Sequence, residues 1–67
     1  MQTKIRTFGP VGLLYQRIEV APVDLAMQRF IKVLNNAGHK VAVRGKELRY
    51  SDEHRTYRVV FDELKAS

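Results

Sequence analysis

The stretch 23-VDLAMQRFIKVLNNAGH-39 decides the fold. Val23, Met27, Phe30, Ile31 and Leu34 recur at the spacing of one helix face, and Ala26, Val33 and Ala37 widen the stripe. Gln28, Arg29, Lys32, Asn35 and Asn36 fall on the other side, with Leu25 the one apolar residue among them. Pro22 stands where a first helical turn tolerates proline, and Asp24 puts a carboxylate at the positive end of the dipole. Gly38 then supplies a residue able to turn left-handed and stop the helix. The spacing predicts an amphipathic helix over residues 23–37. A lone helix with one apolar stripe must bury it against another layer.

Both flanks of the helix alternate with the period of strands. Residues 3–8 read as a strand with Ile5 between Lys4 and Arg6, and Gly9-Pro10-Val11-Gly12 as a turn. Residues 13–20, LLYQRIEV, follow as a second strand, with Leu14, Ile18 and Val20 on one face and Tyr15, Arg17 and Glu19 on the other. Beyond the helix come residues 40–44 around Val41 and Val43, a Gly45-Lys46 turn, and residues 47–51 with Leu48 and Tyr50 sharing a side. The polar run Ser51-Asp52-Glu53-His54-Arg55 connects these to residues 56–62, where Tyr57, Val59 and Phe61 alternate with Thr56, Arg58 and Val60. Residues 63–67 read as a short polar tail. The expected fold is α+β, in the order ββαβββ: a single helix packed on a mainly antiparallel sheet of about five short strands.

Sixty-seven residues allow one small domain over residues 1–67, and a chain this short buries only roughly 60% of its unfolded surface. It contains no cysteine, so neither a disulfide framework nor a thiolate metal site can add stability. Pairing into a homodimer, or folding tightened by a partner, would supply what the core cannot. Twelve Lys and Arg against seven Asp and Glu leave a formal charge of +5. That favours nucleic acid first, an acidic protein surface second and an anionic membrane last. No apolar run reaches the length of a membrane span, and the opening MQTKIRTF lacks the apolar core of a signal peptide. A cytoplasmic protein without a membrane partner is the expectation.

Alternation places Arg6, Arg17, Arg44, Arg49 and Arg58 on one face of the sheet, with Tyr15 beside Arg17 and Lys46 at a turn. Lys4, Lys40 and Arg55 extend the positive region. Cations spread over one surface can neutralise phosphates and release counterions. Guanidinium groups add bidentate phosphate contacts and stacking on bases, and a tyrosine adds a platform for an unpaired base. The plainer reading is a wet sheet face whose long charged side chains cover apolar neighbours. Phe8 and Val60 fall on the arginine side, whereas Tyr50 and Tyr57 fall with the core.

Signs of catalysis are few. The chain has no thiol nucleophile, no G-x-S-x-G elbow, no Walker sequence and no H-E-x-x-H. His39 suits a helix end, and His54 beside Asp52 and Glu53 reads as a solvated turn, so neither a metal nor another cofactor is expected. The sequence therefore points to a small, basic, non-enzymatic protein that binds single-stranded DNA or RNA through an arginine-rich open sheet face. The expected site is Arg6, Tyr15, Arg17, Arg44, Lys46, Arg49 and Arg58. The alternative is a small inhibitor or accessory protein of bacterial or phage type, docking on an acidic protein surface. A third reading is a toxin-like ribonuclease built from Tyr50, Tyr57, Arg49 and Arg58.

Overall fold

The computed structural model describes residues 1–65. Strands β1 (Gln2–Gly9) and β2 (Gly12–Glu19) precede helix α1 (Val23–Asn36), and β3 (Val41–Arg44), β4 (Glu47–Ser51) and β5 (Thr56–Leu64) follow it. All strand pairings are antiparallel, in the order β2-β1-β5-β4-β3. The α+β fold with ββαβββ order is as the alternation predicts. β5 runs further than the pattern suggested, taking in Glu63 and Leu64 from the expected polar tail. The last two residues of that tail lie outside the described residues.

The helix ends as its sequence dictates. Ala37 is the C-cap and Gly38 follows at φ +87. The Gly38 amide donates to the Asn35 carbonyl and the His39 amide to that of Leu34, both at 3.0 Å, which is the Schellman pattern. At the other end Pro22 is the N-cap, extended at ψ 157 and without a capping side chain, and Asp24 sits in the first turn. Gly45 at φ +60 opens the two-residue loop between Arg44 and Glu47. Glycine first, in a positive-φ conformation, is the requirement of a type II′ hairpin turn, so Lys46 is held at the tip.

Ile5, Ala26, Met27, Leu48, Val59 and Phe61 form the buried core. Val23, Phe30, Ile31, Val41 and Tyr50 pack around it, and Phe30 meets Phe61 edge to face at 5.8 Å. The helix lies against β5, β1 and β3. These strands span the sheet from β1 to β3, so one outer strand lies beyond the main helix contacts. That strand is β2. Leu14, Ile18 and Val20, expected on the apolar side, are exposed instead. The register pairs Ile18 with Lys4 and Arg17 with buried Ile5, so Ile18 looks out on the open face while Arg17 points to the helix side.

Two threonines occupy core positions that alternation alone does not price. Thr3 is fully buried and Thr7 nearly so, in line with Ile5 on β1. The Thr3 hydroxyl donates to the Ala21 carbonyl at 2.8 Å, anchoring the chain where it leaves β2 for the helix. Among the described residues no helix is long and apolar enough to cross a membrane.

Candidate nucleic-acid interface

Since Thr3, Ile5 and Thr7 face the helix, Lys4, Arg6 and Phe8 of β1 occupy the opposite, open face. Register extends this across the sheet. One row runs Gln16, Arg6, Val60, Glu47 and Arg44, and the next runs Leu13, Phe8, Arg58, Arg49 and Ala42. Lys4 stands opposite Asp62. Arg6, Arg44, Arg49 and Arg58 therefore share the open face as expected, with Lys46 at its rim.

Arg17 and Tyr15 do not join them. Tyr15 pairs with Thr7 and Arg17 with Ile5, which puts both on the helix side beside α1. There Glu19 accepts an ion pair from Arg29 of α1 at 3.1 Å and lies 3.9 Å from Arg17. Alternation correctly grouped Tyr15, Arg17 and Glu19. It gave no phase between β2 and the other strands, and the apolar character of Ile18 suggested the opposite one.

The centre of the open face is a guanidinium pair. Arg49 and Arg58 are direct cross-strand partners, an arrangement that repels unless a carboxylate intervenes. Glu47 intervenes: one oxygen takes the Arg58 Nε at 3.2 Å, the other the Arg49 Nε at 3.4 Å. Arg49 donates its Nε–H to Glu47, Arg58 meets the same carboxylate as an ion pair without a hydrogen bond, and the terminal nitrogens of both make no hydrogen bond among the described residues. The Arg58 guanidinium also lies over the Phe8 ring, 5.0 Å from its centroid, and Arg6 approaches the same ring at 5.9 Å. Arg6 is paired with Asp62. Phe8, Gly9, Arg49, Thr56, Tyr57 and Arg58 line a shallow hollow of about 190 Å³.

Glu47 and Phe8 are the residues that sequence reasoning missed. The signal for Glu47 was its position two residues before Arg49 on the same strand face, since i and i+2 side chains lie together. Alternation already puts Phe8 on the arginine side, outside the expected site, and register sets it directly opposite Arg58.

The opposite side of the sheet carries a wider groove between α1 and β2. Thr7, Leu14, Tyr15, Phe30, Val33 and Tyr57 line it, with Arg17, Glu19 and Arg29 at one end. Tyr50 stacks on Tyr57 with ring centroids 5.0 Å apart, and burial together with the neighbouring Tyr57 and Asp52 pushes the Tyr50 hydroxyl above its ordinary pKa. Register sets the Tyr50 and Tyr57 side chains on the helix side and those of Arg49 and Arg58 on the open face, although Tyr57 also borders the small open-face hollow.

The hollow of about 660 Å³ at the helix C-terminus is framed by His39, Asp52, Glu53, His54, Arg55 and Tyr57. Asp52 Oδ1 accepts the amides of His54 and Arg55 at 3.1 and 3.0 Å, and Oδ2 accepts the Tyr57 hydroxyl at 3.2 Å. The His54 amide, the Arg55 amide and the Tyr57 hydroxyl hold the carboxyl below its usual range. Its oxygens are committed to the turn, and no group of metal-binding side chains forms among the described residues. His39 lies against Tyr50, its Nδ1 3.3 Å from the Ser51 carbonyl.

Compared with protein families, curated proteins and solved structures, the chain finds no match.

Proposed function

We propose that the protein binds single-stranded DNA or RNA, without catalysis and in the cytoplasm, on the open face of its sheet. The observation that carries this is the pair Arg49 and Arg58, side by side on the open face and both ion-paired to Glu47, with terminal nitrogens that make no hydrogen bond among the described residues. Two guanidinium groups side by side suit a phosphodiester, whose oxygens accept paired N–H donors. Phe8 supplies an aromatic edge beside them, and Arg6, Arg44, Lys46 and Lys4 carry the positive potential across the face. The open face has no protruding helix to enter a duplex groove, which favours an unpaired strand laid across it.

The test is a titration of fluorescent single- and double-stranded oligonucleotides at a series of salt concentrations. Binding that weakens steeply with salt, and single strands that compete better than duplex, are expected. A flat titration at low salt overturns the proposal. A second reading, docking of this face on an acidic protein surface, draws on the β2 end of the face, where Leu13 and Ile18 are exposed. Apolar area beside cations suits a protein partner, and that reading takes over if oligonucleotides fail to bind.

A further inference from the structure

We infer that two copies of this chain join antiparallel along the free edge of β2, continuing the sheet across a two-fold axis. The two sheet edges are unlike. β3 is four residues long, preceded by Lys40 and ending in Arg44, the kind of short, charged edge that resists pairing. β2 is eight residues long, and of the exposed large hydrophobic residues Leu13, Leu14, Tyr15 and Ile18 lie on it, with Val20 just beyond. Its only charges, Arg17 and Glu19, have opposite sign.

The direction of the β2 backbone groups follows from the ladder. The Phe61 amide donates to the Lys46 carbonyl, so at Phe61 the backbone points towards β4 and away from β1. In an antiparallel ladder the two directions alternate, so Ile5, opposite Phe61, turns its backbone towards β2 and its partner Arg17. Arg17 is thereby used up, and its neighbours Gln16 and Ile18 present N–H and C=O to the outer edge. Such outward groups are what a second strand needs.

The axis falls at Ile18. Antiparallel edge pairing requires a two-fold perpendicular to the sheet, so residues facing each other across it share a sheet face. An axis at Arg17 would oppose two guanidinium groups, and one at Tyr15 would run the ladder through the irregularity between Thr7 and Phe8, where Leu14 has no partner. An axis at Gln16 sets Leu13 against Glu19 of the second copy. At Ile18 the pairing sets Ile18 against itself and Arg17 against Glu19 twice, clear of the bulge and ending where the chain bends at Val20. Both open faces then lie on the same side of one sheet, with the two β5 strands about 24 Å apart. That last consequence matters for nucleic acid only if the proposed function holds; the pairing itself does not depend on it.

The experiment uses the full chain without nucleic acid, by sedimentation equilibrium over low to high micromolar concentrations. The expected mass rises to twice the 7.8 kDa of one chain. Ile18→Lys, a change at an exposed site, is expected to hold the protein monomeric at all these concentrations with its far-UV circular dichroism unchanged. Because the chain has no cysteine, Ile18→Cys gives a single thiol at the axis. Facing residues in a ladder bring Cα atoms within disulfide reach, so mild oxidation is expected to link most of Ile18→Cys and little of Gln16→Cys or Val43→Cys. A wild-type chain that stays monomeric overturns the inference. So does a dimer that survives Ile18→Lys, or one that links through Val43→Cys on β3 instead. Capture of a strand from a different protein in place of a second copy would appear as a monomer here, and counts against it.

Discussion

Strands β5 and β2 carry the same kind of pattern and end in opposite circumstances. In β5, Val59 and Phe61 alternate with Arg58 and Val60, and the apolar pair is fully buried under the helix. In β2, Ile18 alternates with Arg17, yet Ile18 is 57% exposed and Arg17 turns to the helix side. Alternation determines which side chains share a face. What decides which face is covered is the strand's place in the sheet: β5 lies between β1 and β4 with α1 across it, while β2 is at the rim beyond the helix. A period-two pattern therefore has full force only where a second layer exists to select one phase.

The sharpest way to break this comparison is to truncate the two strands at equivalent side chains. Phe61→Ala removes a fully buried ring that meets Phe30, and is expected to cost about 3–5 kcal/mol, enough to unfold much of a chain this small. Ile18→Ala is expected to change the stability of the monomer by no more than about 0.5 kcal/mol. Urea denaturation at a dilution where the chain is monomeric measures both. Comparable losses at the two positions would mean that β2 is covered after all.

Thr3 tests the seam between the covered and uncovered parts. Its buried hydroxyl binds the Ala21 carbonyl where the chain passes from β2 towards α1. Thr3→Val keeps the shape and strands that carbonyl without a donor, an expected loss of about 1–3 kcal/mol in the same urea experiment. Thr3→Ser keeps the bond and should recover most of it.

The faces themselves are compared by two arginines. Arg58→Ala removes one fork of the Glu47-held pair and is expected to weaken oligonucleotide binding about tenfold, or roughly 1.4 kcal/mol, and to lower the salt dependence by about one phosphate contact. Arg17→Ala, on the helix side beside Glu19 and Arg29, should leave affinity nearly unchanged. Equal losses would mean that charge alone, and not the open face, recruits the ligand.

How much of this was legible in the sequence depends on whether the signal was local. The helix, its Gly38 stop, the Gly9–Gly12 and Gly45-Lys46 turns and the ββαβββ order rest on neighbours in the chain, and the structure repeats them. Arg6, Arg44, Arg49 and Arg58 came to one face because Ile5, Val43, Leu48 and Val59 beside them gave the correct phase. The placement of Tyr15 and Arg17 failed because β2 has no covering layer, and Ile18 looked like a core residue only by its chemistry. Glu47 escaped notice because its value lies in bridging two strands, a relation that requires the Arg49–Arg58 register. The β2 edge was equally invisible, since strand order is a tertiary fact.

The loops of the two parts offer the gentlest test. Asp52 ties the β4–β5 loop by accepting two backbone amides and the Tyr57 hydroxyl, and these bonds lower its pKa from the ordinary carboxylate value. A carboxyl whose pKa is lower when folded favours the fold in its ionised form. Its contribution is thus complete above the ordinary range near about pH 4, and is lost as the pH falls through that range to the lower folded value. The Gly9–Gly12 turn of the uncovered hairpin contains no titratable side chain and should not respond. Amide shifts and exchange rates of His54 and Arg55, followed by NMR from pH 6 downwards, are expected to move below about pH 4 while those of Val11 and Gly12 stay constant. Asp52→Asn keeps an oxygen at the Oδ1 position to accept both amides but removes the ionisable group, so its loop should persist with no acid transition. If the amides of that variant still moved over the same pH range, the acid sensitivity would belong to another carboxyl and not to the turn that Asp52 closes.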